Sequence, residues 1–140
     1  MSDEAIPENP ADFYKRLIDD CVHDSKDLLA EKLRKVDSTE LDLVSDVGLL
    51  VHALTPEQRA TLAGMLDSAR VSAFHDFLAT LTWWIDCHGL RLTYRGQPVP
   101  VDLSGMGLHG DYVGRLETVD PWQWPAKAPE PPPPWKPESA

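Results

Sequence analysis

Between residues 10 and 88 the apolar positions recur at intervals of three and four, the period of helices that turn one face towards a core. Phe13, Leu17 and Cys21 follow one another every four residues, with Tyr14, Ile18 and Val22 beside them. Asn9 precedes this stripe as a favourable N-cap. Pro10 takes the first helical position, and Asp12 falls in the first turn, where the helix dipole favours a negative charge. A second stretch, from 25 or 26 to 36, puts Leu29, Leu33 and Val36 on one face, with Lys32, Arg34 and Lys35 crowding its last turns. The junction at Asp24-Ser25 is either a break or a bend. Asp37-Ser38-Thr39-Glu40 has capping-box spacing, with Asp at the cap, and predicts a third helix to about residue 54. Leu41, Val44, Gly48 and Val51 form its expected buried seam.

Thr55-Pro56-Glu57-Gln58 is the clearest local signal. Thr caps, Pro suits the first position, and Gln58 reaches back to the cap amide, so a fourth helix must start there. Its apolar positions Leu62, Met65, Leu66 and Ala69 lead to Val71, Phe74, Leu78, Leu81 and Ile85, and Gly89 supplies a terminator. The stretch reads as one long helix or as two joined at 68–72. Phe74, Phe77, Trp83 and Trp84 concentrate aromatic mass here, for which core packing is expected. Adjacent Trp83 and Trp84 point about 100° apart on a helix, so one indole is expected to face the core while the other meets the hairpin or the tail.

Beyond Gly89 the period shortens to two. Leu90, Leu92 and Tyr94 alternate with Arg91, Thr93 and Arg95, as in a half-buried strand. Arg95-Gly96-Gln97 turns the chain, and Pro98-Val99-Pro100-Val101 returns as a weak outer strand, since proline cannot donate to a ladder. Gly105, Gly107, Gly110 and Gly114 then mark a loop or an unusually tight backbone path, with a short helix over 111–118 as an alternative. Pro121-Trp122-Gln123-Trp124-Pro125 and the run Pro131-Pro132-Pro133-Pro134-Trp135 favour polyproline II. The expected fold is mainly α: a compact bundle of four to five helices, a short C-terminal β-hairpin and an extended proline-rich tail. Residues 1–8 are expected to be a flexible N-terminus and 9–120 the helical domain with its hairpin. Residues 121–140 form the tail, partly packed back on the domain.

Composition narrows the function more than it identifies it. A chain of 140 residues, 42% hydrophobic and 26% charged, is expected to bury one core. The net charge of −10, with scattered basic residues, opposes contact with a phosphate backbone, so no nucleic-acid partner is expected. The acidic excess suits a basic protein partner, mimicry of a polyanion or simple solubility, the last being the favoured reading. No apolar run approaches the ~20 residues of a membrane span. The acidic opening Met1-Ser2-Asp3-Glu4 is unlike a signal peptide, which makes a cytoplasmic protein the expectation. Cys21 and Cys87 are then read as reduced thiols.

The candidate chemistry is sparse. Gly105-Met106-Gly107-Leu108-His109-Gly110 has the glycine spacing of a dinucleotide fingerprint, but too little chain follows for a second parallel strand and a ribose-binding acid. Asp19, Asp20 and His23, with Asp86-Cys87-His88, bring together metal-binding residue types, yet their Cys and His spacings diverge on a helix and match no established zinc pattern. No nucleophile elbow or Cys-His signature appears, and no cofactor or structural metal is expected. The leading expectation is a non-catalytic protein-interaction module, an inhibitor, immunity protein or adaptor for a basic partner. The alternative is a small enzyme or ligand-binding protein whose pocket gathers His75, Asp86, His88 and His109 from distant positions. In the tail, Trp122 and Trp124 are the candidates for self-packing and Trp135 for an external contact.

Overall fold

The computed structural model describes residues 5–35, 46–101 and 104–117. Helix α1, Pro10–Asp24, starts where the local chemistry demands. Asn9 is extended, and its side chain accepts from the Asp12 amide at 2.9 Å. Tyr14 and Ile18, four residues apart, are wholly buried. The helix ends in a true break: the Lys26 amide turns to the His23 carbonyl only three residues back, and the Ser25 hydroxyl closes on the Val22 carbonyl. Asp27 then accepts from the Ala30 amide at 2.9 Å and opens α2, Leu28–Lys35. Helix α3 is Asp46–Ala53. Gly48 and Val51 of the expected seam are buried. The proposed cap at 37–40, with Val36, Leu41 and Val44, lies outside the described residues.

Helix α4, Pro56–His88, is a single element of 33 residues, about 50 Å long. Both bonds of the capping box form, Gln58 amide to Thr55 Oγ1 at 3.2 Å and Thr55 amide to Gln58 Oε1 at 2.9 Å. No break occurs at 68–72, a stretch with neither proline nor glycine to force one. Gly89 closes the helix at φ 72°, a conformation glycine adopts without a Cβ penalty.

This long helix is the spine for two clusters. Towards its start, Ala63 packs with Ala30 and Leu33 of α2 and Val51 of α3. Towards its end, Leu78 joins Tyr14, Ile18, Val99, Leu108 and Tyr112, with Val71, Phe74, Leu81 and Ile85 packed against them. Those α4 positions follow the helical period, so they define its inner side. Trp83 and Trp84 fall off that stripe: they are 51% and 47% exposed, and Phe77 is 62% exposed. The expectation of core packing for this aromatic group, with one of the two indoles facing the core, is therefore corrected, and of the group only Phe74 packs inward, 6.1 Å from Tyr112.

Strands β1, Thr93–Tyr94, and β2, Gln97–Pro98, pair antiparallel with Thr93 opposite Pro98. The connecting Arg95 and Gly96 have φ of 50° and 78°, the left-handed pair of a type I′ turn. Tyr94 stacks on Phe13 at 4.4 Å and donates to the Pro7 carbonyl, which fastens the hairpin to α1. The glycine segment leads into α5, Gly107–Glu117, which starts four residues before the expected 111. Its Leu108 amide donates to Thr82 Oγ1 of α4 at 3.1 Å, so the cap comes from another element. Gly107 sits at φ 72°, and a Cβ there would stand 2.7 Å from Thr82 Cγ2. Glycine is required for this approach.

Candidate functional site

Helix α5 runs back along α4 and beside α1, and polar side chains gather where these elements meet, Tyr14, Asp111 and Tyr112 buried and the Arg115–Asp19 pair partly open to solvent. Tyr14 donates a very short hydrogen bond to Asp111, whose residue is 6% exposed. One turn on, Arg115 Nε contacts Asp19 Oδ1 at 2.6 Å. The Tyr112 hydroxyl, by contrast, is buried with only the Ser25 hydroxyl beside it, outside good hydrogen-bonding geometry. Burial holds its pKa above the ordinary phenol value and outweighs the opposing effect of the Ser25 hydroxyl beside it. Burial likewise pushes the Cys21 thiol up, reinforced by Asp20 and Asp24, which makes it a poor nucleophile.

The α4–α5 contact carries the imidazoles. Thr82 donates to the Leu78 carbonyl at 2.9 Å while accepting from Leu108, and His109 Nδ1 lies 3.3 Å from the same Thr82 oxygen. His109 meets His75 edge-on, with ring centroids 5.5 Å apart. His75 Nδ1 is 3.1 Å from Asp76 Oδ1 at the exposed rim. Beyond Thr82 lies a hollow of about 80 Å³ whose lining includes Ile85, Asp86, Val101, Gly105 and Gly107. A water occupies about 30 Å³ and small-molecule pockets start near 300 Å³, so this hollow is the size of a few waters.

Of the four proposed pocket residues, His75 and His109 thus come together, and Asp86 and His88 stand apart. Asp86 follows His75 by eleven residues, on nearly the same side of α4 but about 16 Å along it. His88 lies roughly 220° round the helix from His75. Thr82, which organises the contact, has no local signal in the sequence, although a hydroxyl facing a glycine pair is the chemistry of a cap. The dinucleotide reading of that glycine pair is not supported by its setting. Among the described residues the sheet is a two-stranded antiparallel hairpin, and Gly107 faces Thr82.

His88 belongs to a different surface. Trp83 and Trp84 meet edge to face at 5.1 Å and 79°, and the His88 ring leans on both, 4.3 Å from Trp83 and 4.8 Å from Trp84. Cys87 is exposed one turn beyond Trp84, in angle between the two indoles. Asp86, three residues after Trp83, and Asp76, seven before it, place exposed carboxylates on the same side. Phe77 extends the apolar strip two turns towards the helix start.

Among the described residues, no three or more His, Cys, Asp or Glu side chains are placed to share a metal ion. Within the same residues, no helix is long and apolar enough to cross a membrane. Trp122, Trp124 and Trp135 lie outside the described residues. No curated protein and no solved structure matches the chain. A family model does match, over residues 7–126, a span that takes in every described helix and the hairpin and stops short of the four-proline run. The chain belongs to DUF6547, a family of unknown function.

Proposed function

We propose that the protein is a non-catalytic interaction module that binds a basic segment of a partner protein, in the manner of an inhibitor, immunity protein or adaptor. The observation that carries this reading is the exposed Trp83, Trp84 and His88 cluster edged by Asp76 and Asp86. An indole face attracts an ammonium or guanidinium by about 0.5–2 kcal/mol, and adjoining carboxylates add Coulomb attraction of the same sign. The net charge of −10 would steer a basic partner to the surface from a distance. Large exposed aromatics are also the residue type that anchors protein interfaces.

The test is a titration with an arginine- and lysine-rich peptide, followed by calorimetry at two salt concentrations. Binding should weaken with salt. The double variant Trp83→Ala with Trp84→Ala should lower affinity at least tenfold while leaving the helical spectrum unchanged. Equal binding by that variant, or none by the natural chain, would remove the proposed face.

A further inference from the structure

We infer that His75 of α4 and His109 of α5 form a two-imidazole site for an exchangeable zinc ion held between the two helices. The inference rests on where the ring protons are. Thr82 has one hydroxyl hydrogen, and the Leu78 carbonyl, which can only accept, takes it at 2.9 Å. The Thr82 oxygen therefore meets His109 Nδ1, 3.3 Å away, as an acceptor, so Nδ1 carries the hydrogen of the neutral ring. At His75 the partner of Nδ1 is the Asp76 carboxylate at 3.1 Å, again an acceptor. Both neutral imidazoles are thus Nδ1–H tautomers, and each carries its lone pair at Nε2. Neither ring has a proton left to give the other across their contact.

This is the hydrogen bonding of metal-binding histidines, which donate one ring N–H to a carboxylate or another oxygen and offer the second nitrogen to the ion. The outer partners come from different places. Asp76 follows His75 directly in α4, whereas Thr82 reaches His109 across the helix contact and is itself fixed by the Leu78 carbonyl and the Leu108 amide.

The ring separation selects the ion. A metal about 2.0–2.1 Å from a ring nitrogen stands roughly 3.2 Å from the ring centre. Two imidazoles sharing it have centres about 5.2 Å apart at a tetrahedral angle, and about 4.5 Å apart at the right angle of a square-planar site. The observed centres are 5.5 Å apart with the rings at 85°, on the tetrahedral side. Tetrahedral nitrogen ligation points to Zn²⁺ ahead of Cu²⁺ or Ni²⁺. Two protein ligands are fewer than the sets that close a structural zinc centre, so water completes the shell and the ion exchanges. The His75 side chain is 40% exposed, which leaves a path for entry, and the net charge of −10 concentrates cations at the surface. A bound ion would tie the first turn of α5 to the middle of α4. The site uses none of Trp83, Trp84 and His88, so it stands whether or not a basic partner exists.

The test is a calorimetric titration of the full chain with zinc chloride in a non-chelating buffer, with long-range proton–nitrogen correlation spectra of the imidazoles recorded in parallel. One ion should bind per chain, with a Kd on the order of 10 µM. His75→Gln and His109→Gln should each raise that Kd at least tenfold, and the double variant Trp83→Ala with Trp84→Ala should leave it unchanged. In the spectra of the natural chain, both rings should be Nδ1–H tautomers without zinc, and zinc should shift Nε2 of both. The spectra need no substitution, so they decide the question even if His109→Gln, close to the Thr82 cap, fails to fold. No binding up to about 1 mM zinc would overturn the inference. Unchanged affinity in His75→Gln would also overturn it, by assigning the ion to other His or Cys side chains, as would a zinc response at Nε2 of only one of the two rings.

Discussion

Tyr14→Phe and Tyr112→Phe remove the same atom from two wholly buried tyrosines of one cluster, and the structure requires opposite outcomes. The Tyr112 hydroxyl is enclosed with only the Ser25 hydroxyl beside it, outside good hydrogen-bonding geometry, and a poorly satisfied buried hydroxyl costs about 1–3 kcal/mol in lost hydration. Removing it should stabilise the protein by about 1 kcal/mol, the low end because the Ser25 hydroxyl is close by. For a chain of this size that is a rise of roughly 3 °C in Tm. At Tyr14 the hydroxyl donates to the buried Asp111 carboxylate. A hydrogen bond to a charged group contributes about 1.5–3 kcal/mol, and its loss leaves a carboxylate oxygen short of a donor. Tyr14→Phe should therefore cost about 2–3 kcal/mol, or roughly 6–9 °C. Urea and thermal unfolding followed by far-ultraviolet circular dichroism at pH 7 measure both. If Tyr112→Phe loses more than about 1 kcal/mol, the hydroxyl has a partner and the reasoning fails. Equal losses at both positions would refute the distinction.

Gly107→Ala should cost about 2–3 kcal/mol, from the left-handed φ together with the Thr82 clash, and Thr82→Ser in the same chain should return about 1 kcal/mol by removing Cγ2; no recovery in the double variant would exclude the contact as the cause. Thr82→Val keeps the shape and removes the cap acceptor of Leu108, so unfolding measurements should show a loss of about 1 kcal/mol. Alkaline stability follows from the raised pKa values of Cys21 and Tyr112. Below their ordinary values of 9.0 and 10.0 both groups are protonated in either state, and above them the unfolded chain gives up its protons first. Stability should thus be level near neutrality and fall as pH rises through 9 and 10. Tyr112→Phe should flatten the upper part of that fall and Cys21→Ala the lower, as read from urea midpoints across pH 7–11.

The elements legible in the sequence are those whose signals are local. Asn9-Pro10, Thr55 with Gln58, and Gly89 each hold their cap chemistry within a turn of the element they bound, and the observed helix ends fall there. Arg95-Gly96 marked the hairpin for the same reason. The start of α5 is not legible locally, because its cap, Thr82, is supplied from across the fold. Glycine-rich sequence alone does not distinguish a loop from a helix that needs glycine to approach a neighbour. Aromatic mass alone does not place the indoles. The stripe Val71, Phe74, Leu78, Leu81 and Ile85 is already complete without them, and positions 83 and 84 point away from it. The candidate site was legible in part: His75 and His109 meet, whereas helix geometry carries His88 to the other side of α4.

An unbroken α4 fixes a phase relation between its two clusters, because each residue inserted between Ala63 and Val71 rotates everything after it by about 100°. One added residue at 68–72 would swing the surface that receives α5 towards solvent while the α2 contact stayed in place. Four would leave a mismatch of about 40°, and seven only about 20° with the two halves roughly 10 Å farther apart. The bridging contacts across this stretch, Arg34 with Asp67 at 2.5 Å and Arg70 with the Asp24 carbonyl at 2.8 Å, would be sheared by the longer insertion even where the angle is kept. The middle of the helix is therefore its least tolerant part to a change in length, although Ser68, Ala69 and Ser72 are exposed there and free to change in kind.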